Sequence, residues 1–338
     1  MEQENLREMP RNYTNGKSDK ALIGHIGFDG PVKADTSQTK RILITGAGSY
    51  IGKSFIRYAK EHYNKNFIID EMDMMDDIWK NVSFSEYDII YHVAGIAHAD
   101  VGNVSDEVKE KYYCVNTDLA VEVAKKAKAD GVKQFVFMSS MIVYGDSAPY
   151  GKEKIVTGTT VPKPANFYGD SKLQADVAVR ELADDSFKVA VLRPPMIYGK
   201  GSKGNYPLLA KIAKNVPIFP KVKNQRSMLY IGNLCEFLCQ LFLVEADEFS
   251  NEGNVFIPQN AEWTNTSEMV KMIAESNGKE IVLSRVLVLA VVIGGKMPGK
   301  IGKLVNKAFG NSCYENKMSI YTQINYQIFS VPISIHKC

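Results

Sequence analysis

The sequence RILITGAGSYIG, residues 41–52, decides the fold, because an apolar segment in it runs directly into a glycine-rich turn. The first part has the apolar, β-branched character of a buried strand. After the turn, Ile51, Phe55, Tyr58 and Ala59 recur at the spacing of one helix face. Glycines let the backbone approach a pyrophosphate closely, and the first turn of the following helix offers it unpaired N–H groups. This order of strand, turn and helix predicts a phosphate-binding unit.

Apolar strands and helices continue to alternate after this unit. Strands are predicted at residues 67–69, 88–95, 134–138 and 189–192, and helices at 117–130 and 171–182. Because the strands are apolar throughout, they indicate a parallel sheet with helices on both faces. We therefore predict an α/β fold, a doubly wound Rossmann-like sheet over residues 40–195, to which a strand near 254–258 returns.

The two ends of the chain have a different character. Residues 1–39 are polar and without sustained periodicity, so we expect a flexible N-terminal extension. Residues 196–338 are expected to form mainly a smaller, substrate-binding region. After an apolar run at residues 286–295, four lysines form a basic stripe at Lys296, Lys300, Lys303 and Lys307. We favour a solvated helix face beside the substrate cleft for this stripe, and contact with an anionic membrane surface is the alternative.

Composition excludes several classes of protein. The net charge of +3, from 41 Lys+Arg against 38 Asp+Glu, is too balanced for a dedicated nucleic-acid binder. Five scattered cysteines without nearby histidines predict neither a disulfide scaffold nor a metal site. The start of the chain lacks a signal-peptide pattern, and the longest apolar run near the C-terminus is ten residues, too short to span a membrane. We expect a soluble, cytoplasmic protein.

An acidic residue beyond the second strand should hold the adenosine ribose of a dinucleotide bound at the glycine turn. Asp70 and Asp73 are the candidates, and strand length favours Asp73. No arginine lies within residues 70–77 to receive a 2′-phosphate. We therefore expect NAD, rather than NADP, as the cofactor.

A tyrosine and a lysine four residues apart, Tyr168 and Lys172, would face the same side of a helix. A phenol is a poor base at neutral pH, but a neighbouring ammonium and a positively charged nicotinamide can lower its pKa. A decrease of about 3 pKa units corresponds to roughly 4 kcal/mol. Such a tyrosine can exchange a proton with a sugar hydroxyl. Ser139 and Ser140 follow the strand at residues 134–138, at the sheet edge where such folds bind ligands.

Together these motifs resemble the extended short-chain dehydrogenase/reductase superfamily, and within it the NAD-dependent epimerase/dehydratase group that acts on nucleotide sugars. The resemblance runs from about residue 41 to about residue 325. The turn at residues 45–52 resembles the motif T-G-x-x-G-x-x-G, with Ser49 in place of the middle glycine. The resemblance implies a cofactor site made of Gly46, Gly48, Ser49, Tyr50, Ile51, Gly52, Asp73, Ala94, Gly95, Asn116 and Lys172.

The same resemblance implies the catalytic and substrate-binding residues. Ser140 lies four residues before the tyrosine of a V-Y-G segment, as the family's active-site serine does, and Tyr168 and Lys172 match its catalytic pair. Substrate would meet Ser140, Tyr168 and Arg226, the last resembling the arginine that binds the sugar-nucleotide diphosphate. The second diphosphate-binding arginine has no clear counterpart, and Lys303 or Lys307 are its possible substitutes.

One departure from the family pattern narrows the chemistry. Family members that dehydrate sugars carry an Asp-Glu pair after the active-site Ser/Thr, where this chain has Met141 and Ile142. What remains is oxidation and reduction at C4. We therefore expect an NAD-dependent 4-epimerase of a nucleotide sugar. The expected substrate is UDP-linked glucose or N-acetylglucosamine. The resemblance also implies a homodimer. The alternatives are an NAD(P)H-dependent 4-keto-sugar reductase of polysaccharide precursor synthesis and a non-catalytic NAD(H)-binding regulator.

Overall fold

The computed structural model describes residues 22–23, 39–97, 104–249 and 253–319. A seven-stranded, fully parallel sheet forms its centre. Its strands are β1 (Leu22–Ile23), β2 (Lys40–Thr45), β3 (Phe67–Met72), β4 (Ile89–His92), β5 (Gln134–Met138), β7 (Lys188–Leu192) and β11 (Asn254–Phe256). The doubly wound fold predicted from the sequence is thereby confirmed.

The order of the strands indicates where the ligand crevice lies. Across the sheet the order is β1-β11-β7-β5-β4-β2-β3, so the chain goes outward from β2 to β3 and then returns to β4 on the other side of β2. In open α/β sheets, ligands bind at such a switch point, outside the carboxyl ends of the strands. The glycine turn, which follows β2, lies at this point.

Helices cover both faces of the sheet. These helices are α1 (Tyr50–His62), α2 (Asp106–Tyr113), α3 (Leu119–Ala129), α4 (Phe167–Arg180) and α6 (Ile231–Leu243). Successive residues of β2 enter opposite cores: Ile42 and Ile44 pack with residues of α1 and α6, whereas Leu43 packs with residues of α3 and α4. This explains why β2 is apolar at successive positions from Ile42 to Ile44.

The C-terminal region has a third, smaller core. Its elements are β8 (Met196–Tyr198), α5 (Asn205–Asn215), β9 (Ile218–Pro220), β10 (Met228–Tyr230), α7 (Thr266–Ser276), β12 (Val282–Ser284), α8 (Leu287–Lys296) and α9 (Lys300–Phe309). Helices α5 and α7 pack together there around Ala213 and Ile273. A short parallel pair of strands, β6 (Ile155–Val156) and β13 (Cys313–Tyr314), joins this region to the main sheet domain.

The structure also bears on the predicted ends of the chain. Leu22 and Ile23, inside the predicted flexible extension, form the edge strand β1 and pair with β11, which itself pairs with β7. The remaining statements on residues 1–38, 98–103 and 320–338 lie outside the described residues. Within the described part of the chain, no helix combines the length and the apolar character that a membrane crossing requires.

Candidate active site

The glycine turn brings the backbone of two loops into contact. Gly46 has a φ of +114°, and a Cβ at that position would lie 2.6 Å from the backbone nitrogen of Ala94. Gly48 has a φ of +75°, whereas Ser49 has an ordinary φ of −62°. The Ser49 side chain caps helix α1 by accepting a hydrogen bond from the Gly52 N–H at 3.1 Å. Ser49 can therefore replace the family's middle glycine, because Gly48 adopts the left-handed conformation.

The acidic residue beside this turn is Glu71, near the end of β3. Its Oε1 accepts a hydrogen bond from the Gly48 N–H at 3.0 Å. Asp73 instead accepts from the N–H of Met75 at 2.9 Å, within its own loop, and Asp70 lies 3.6 Å from Arg41. The structure thus places Glu71 beside the turn and Asp73 within its own loop. Asp73 as the ribose-binding residue stays a prediction, and Glu71 is a further candidate.

Two further predicted cofactor residues, Tyr50 and Ile51, point into the protein rather than along the turn. Ile51 and the Tyr50 ring pack against the core below α1. The Tyr50 hydroxyl is buried and has no hydrogen-bond partner among the described residues, and a Cβ at Gly199 would lie 3.2 Å from it. Burial is the main cause that raises the pKa of Tyr50. Only the backbone of these two residues is left to serve a phosphate at the start of α1.

The opposite end of the crevice brings together three predicted residues from distant segments. A Cβ on Gly95 would lie 3.0 Å from both Asn116 Oδ1 and Lys172 Nζ. Asn116 accepts from the Ile96 N–H at 2.8 Å and donates to Ser171 Oγ at 3.1 Å. Asn116 belongs to a π-helical turn, Cys114–Asp118, a local widening that often occurs at functional sites. The predicted helix at 117–130 therefore begins as a π turn that directs Asn116 toward Lys172.

The three predicted catalytic residues meet at the carboxyl end of β5. Ser140 follows β5, and its Oγ accepts from the Ile142 N–H at 3.3 Å. A hydrogen bond from Ser140 to Tyr168 lowers the phenol's pKa, but burial outweighs it and raises the pKa of Tyr168 to about 12. Lys172 donates from Nζ to the Met138 carbonyl at 3.0 Å. Burial lowers the pKa of Lys172 to about 8.

These pKa directions describe the site without a cofactor. The sequence leads us to expect that the Lys172 ammonium, together with a positively charged nicotinamide, lowers the pKa of Tyr168. In the structure the ammonium donates to the Met138 carbonyl instead, and Ser140 is the group that lowers the pKa of the phenol. Without a cofactor, the site therefore holds a protonated tyrosine.

A buried ion-pair network lies directly beneath Lys172. The Asp176 carboxylate accepts from Arg193 Nε and Nη2 at 2.8 and 2.7 Å, and from Arg180 Nε at 3.0 Å. Burial alone would raise the pKa of Asp176, but the two guanidinium groups hold it at about 2. Arg193 also donates to the Tyr144 hydroxyl at 2.8 Å. This network fixes α4 against the sheet.

His92, at the end of β4, is held as a neutral imidazole. Its ring lies between Phe135 and Phe137, with centroid distances of 6.1 and 6.0 Å. Nδ1 is 2.9 Å from Thr45 Oγ1. Burial, aided by the Lys172 ammonium, lowers the pKa of His92 to about 3. A structural role for this residue follows.

Arg226 lies where the end of α9 approaches the segment after Ser140. Its Nη1 donates to the carbonyls of Lys307 and Ala308 at 2.8 and 3.3 Å, and Nη2 lies 3.5 Å from Ser147 Oγ. The backbone of Arg226 bridges to Ser312, whose hydroxyl contacts the Met141 sulfur at 3.5 Å. Arg226 is thus joined to the segment after Ser140 through Ser312.

Ser147 could not be identified from the sequence, since it belongs to no local motif. Lys303 and Lys307, the proposed substitutes for a second arginine, are exposed on α9. The main-chain carbonyl of Lys307, not its ammonium, contacts Arg226.

The described residues fit a bound dinucleotide. The glycine turn admits no side chain at Gly46, the first turn of α1 offers backbone N–H groups, and Glu71 stands beside the turn. At the far end, Gly95 lets Asn116 and Lys172 approach the backbone closely. A carboxylate near the adenosine ribose favours NAD over NADP.

Comparison with known proteins agrees with this geometry. The model of the NAD dependent epimerase/dehydratase family matches residues 42–256. A UDP-glucose 4-epimerase of Vibrio cholerae is 28% identical over 302 residues, which cover 87% of this chain and 84% of that protein. An N-acetyl-α-D-glucosaminyl-diphospho-ditrans,octacis-undecaprenol 4-epimerase of Escherichia coli O157:H7 is 26% identical over 80% of this chain and 82% of that protein.

A solved structure shows the same fold. The crystal structure of UDP-glucuronic acid 4-epimerase from Bacillus cereus, in complex with UDP-glucuronic acid and NAD, superposes with a TM-score of 0.62 at 16% identity. The match covers 86% of this chain and 94% of the other.

Replacing Glu71 by Gln should weaken NAD binding about tenfold, because a hydrogen bond to a charged acceptor contributes about 1.5 kcal/mol or more. Asp73→Asn is the matched control and should leave the affinity unchanged. Isothermal titration of the purified variants with NAD measures both. A loss of affinity in Asp73→Asn but not in Glu71→Gln would show that the ribose lies beside Asp73.

Lys172→Met should stabilise the cofactor-free protein at pH 7 by about 3 kcal/mol, because the pKa of Lys172 is about 8 in the folded protein, against an ordinary value of 10.5 for an unfolded chain. The cost of burying the ammonium is fully present below pH 8 and is lost as the pH rises toward the unfolded pKa. The gain should therefore shrink to less than half at pH 9.5, as measured by urea unfolding. Lys125→Met, at an exposed position, should show no such pH dependence, and an equal effect of Lys172→Met at both pH values would contradict this account.

Proposed function

The chain belongs to the NAD dependent epimerase/dehydratase family, and from this premise we propose that it inverts C4 of a UDP-linked hexose. In this reaction C4 is oxidised to a ketone and then reduced from the opposite face. The proposal rests on the meeting of Ser140, Tyr168 and Lys172 at the carboxyl edge of the sheet, where Ser140 lowers the pKa of the Tyr168 phenol and Lys172 donates to the Met138 carbonyl. UDP-glucose and UDP-N-acetylglucosamine are the proposed substrates.

The residues that would hold NAD are those of the crevice. The backbone at Gly46, Gly48 and the start of α1 would meet the pyrophosphate, and Glu71 the adenosine ribose. Gly95, against which Asn116 and Lys172 pack, would lie at the nicotinamide half. When bound, NAD supplies the hydride acceptor, and in its reduced form the hydride donor, for C4.

Tyr168 is the residue that transfers the proton of the 4-hydroxyl. Its phenol must lose a proton before it can take one from the 4-hydroxyl, and burial opposes that loss. Ser140 already donates to the phenol oxygen. Lys172 carries three N–H donors, of which the bond to Met138 uses one. The ammonium is therefore the group on this chain that can add further stabilisation to a phenolate, while Ser140 shares the reacting oxygen of the substrate.

The diphosphate of the substrate is assigned to Arg226. Its guanidinium has the planar fork that binds phosphate oxygens in pairs, and burial lowers its pKa in the substrate-free site. The Nη atoms now contact carbonyls at the end of α9 and Ser147. Substrate phosphates would replace these neutral acceptors, because a guanidinium binds a charged acceptor more strongly than a neutral one.

Met141 restricts the chemistry to C4. The residue after Ser140 contacts Ser312 through its sulfur, and neither side chain can take a proton from C3 or C5. Elimination of water and epimerisation at C3 or C5 need such a base. Oxidation and reduction at C4 need only Ser140, Tyr168, Lys172 and the nicotinamide.

A second substrate form is supported by one observation. The name of the E. coli relative describes a sugar attached to a lipid diphosphate. Helix α8 of this chain exposes apolar side chains such as Leu289, which is 64% exposed, and α9 carries Arg226 at its C-terminal carbonyls. A lipid-linked diphosphate sugar would offer Arg226 the same diphosphate as a UDP-sugar.

The proposed reaction is tested by product analysis without added reductant. Wild-type protein with catalytic NAD should convert UDP-glucose or UDP-N-acetylglucosamine to its C4 epimer, as resolved by NMR. Tyr168→Phe should lower the rate by about 10²-fold or more, because general acid–base catalysis contributes that much. Tyr113→Phe, which removes only a bond to Asp170, is the matched control and should retain activity.

Other outcomes identify the alternatives. Turnover only of a 4-keto sugar, with one NADH or NADPH consumed per product, would make the enzyme a reductase. Turnover only of the lipid-linked sugar would assign the second substrate form. A biological activity that survives Tyr168→Phe unchanged would indicate a non-catalytic NAD(H)-binding regulator.

A further inference from the structure

Helices α8 and α9 form a hairpin whose outer side is apolar and exposed. The exposed fraction is 64% for Leu289, 57% for Ile293 and 62% for Leu304. We call the whole set the hairpin face; it consists of Val286, Leu287, Leu289, Ile293, Met297, Ile301 and Leu304. Soluble monomeric proteins rarely expose this many large apolar side chains in one place, and such a patch marks an interaction site.

The two helices of the hairpin pack against each other along one side. A Cβ on Gly294 would lie 3.2 Å from a Val305 methyl, so the two helices pack closely at this glycine. Asn306 of α9 donates to the Gly295 carbonyl at 3.0 Å. Val291 is buried on the inner side of α8. The helices thus bury one side and present the other.

The charges on the hairpin itself have one sign. Arg285, Lys296, Lys300, Lys303 and Lys307 lie between residues 285 and 309, and this stretch contains no Asp or Glu. The four lysines are exposed. An apolar helix surface bordered by cations complements the boundary of an anionic bilayer, where apolar side chains enter and lysines meet headgroups.

A second copy of the chain fits this surface less well. A two-fold interface pairs a patch with itself, so the cations of one copy would face those of the other. Like charges brought together in this way oppose association. The charge pattern therefore favours anionic lipid as the occupant.

We propose that the hairpin face docks the protein on the surface of an anionic phospholipid bilayer, which was the alternative to the solvated helix face favoured from the sequence. This inference goes beyond the proposed function and does not depend on it. It has a consequence for the site, because the C-terminal carbonyls of α9 hold Arg226 and Asn306 accepts the Tyr150 N–H at 3.2 Å. The docking element and the candidate substrate cleft are thus parts of one hydrogen-bonded unit.

Vesicle flotation with the full-length protein tests the proposal. Wild-type protein should float with vesicles of phosphatidylcholine and phosphatidylglycerol, and much less with phosphatidylcholine alone. High salt should weaken the binding, since it screens the lysines. Failure to float with the anionic vesicles would overturn the proposal, whatever sugar the enzyme accepts.

Two variants separate the contributions of apolar and charged side chains. Leu289→Ser with Leu304→Ser should weaken the partition at least about tenfold, because two apolar side chains no longer enter the lipid. Lys296→Glu with Lys300→Glu should weaken it about thirtyfold, at about a factor of five for each cation lost. Turnover of soluble substrate should stay unchanged in both, which shows that they fold.

Matched controls change equally exposed side chains elsewhere. Ile78→Ser with Val161→Ser removes apolar groups that are 67% and 49% exposed, and Lys125→Glu with Lys133→Glu removes two exposed cations. Both controls should float like the wild type. Equal losses in the controls and the hairpin variants would contradict docking through the hairpin.

Other occupants of the hairpin face give different results. A wild-type dimer that Leu289→Ser with Leu304→Ser converts to a monomer in sedimentation, without vesicle binding, would make the face a subunit interface. Vesicle binding gained only after removal of residues 320–338 would assign the face to the chain's own tail. Either result overturns membrane docking.

Discussion

The carboxylate of Asp176, buried between two guanidinium groups, is the contact on which the rest of the site depends. Arg193 reaches it from the loop after β7 with two hydrogen bonds, and Arg180 from its own helix α4 with one. The Arg193 carbonyl in turn accepts the Tyr314 hydroxyl at 2.8 Å. Because removing one partner of a buried ion pair leaves an uncompensated charge, helix α4 has little freedom to shift. Tyr168, on the same helix, is thereby fixed relative to the end of β5.

The fixed position of α4 keeps the Lys172 ammonium buried, away from the water that would normally solvate it. Lys172 is buried, and the carboxylate one helical turn away only partly offsets the cost of its charge. The site therefore contains an ammonium whose burial is unfavourable, and next to it a phenol that burial keeps protonated. Stability and function oppose each other here, as they often do at catalytic centres. A substrate hydroxyl and a cofactor would enter a site whose donors are already oriented.

The sequence predicts the parts of this site that depend on local order. The glycine turn after a strand and the Tyr168–Lys172 spacing specify a fold and a pair of side chains on one helix face. The position of Glu71 beside the glycine turn could not be predicted, because it depends on where β3 ends and which side each residue faces. The pKa of Tyr168 depends on burial by distant segments, and the partners of Arg226 lie about 80 residues away. The homodimer and the cytoplasmic location stay predictions.

The central claim is that C4 loses a hydride to the cofactor and then receives the same hydride back. UDP-glucose and UDP-N-acetylglucosamine carrying deuterium at C4 would be incubated with the enzyme and unlabelled NAD, and the epimers analysed by NMR. The account predicts that the deuterium stays at C4 of the product, because the hydride returns from the cofactor to the same carbon. An epimer without deuterium at C4, or with solvent hydrogen introduced at C3 or C5, would contradict it.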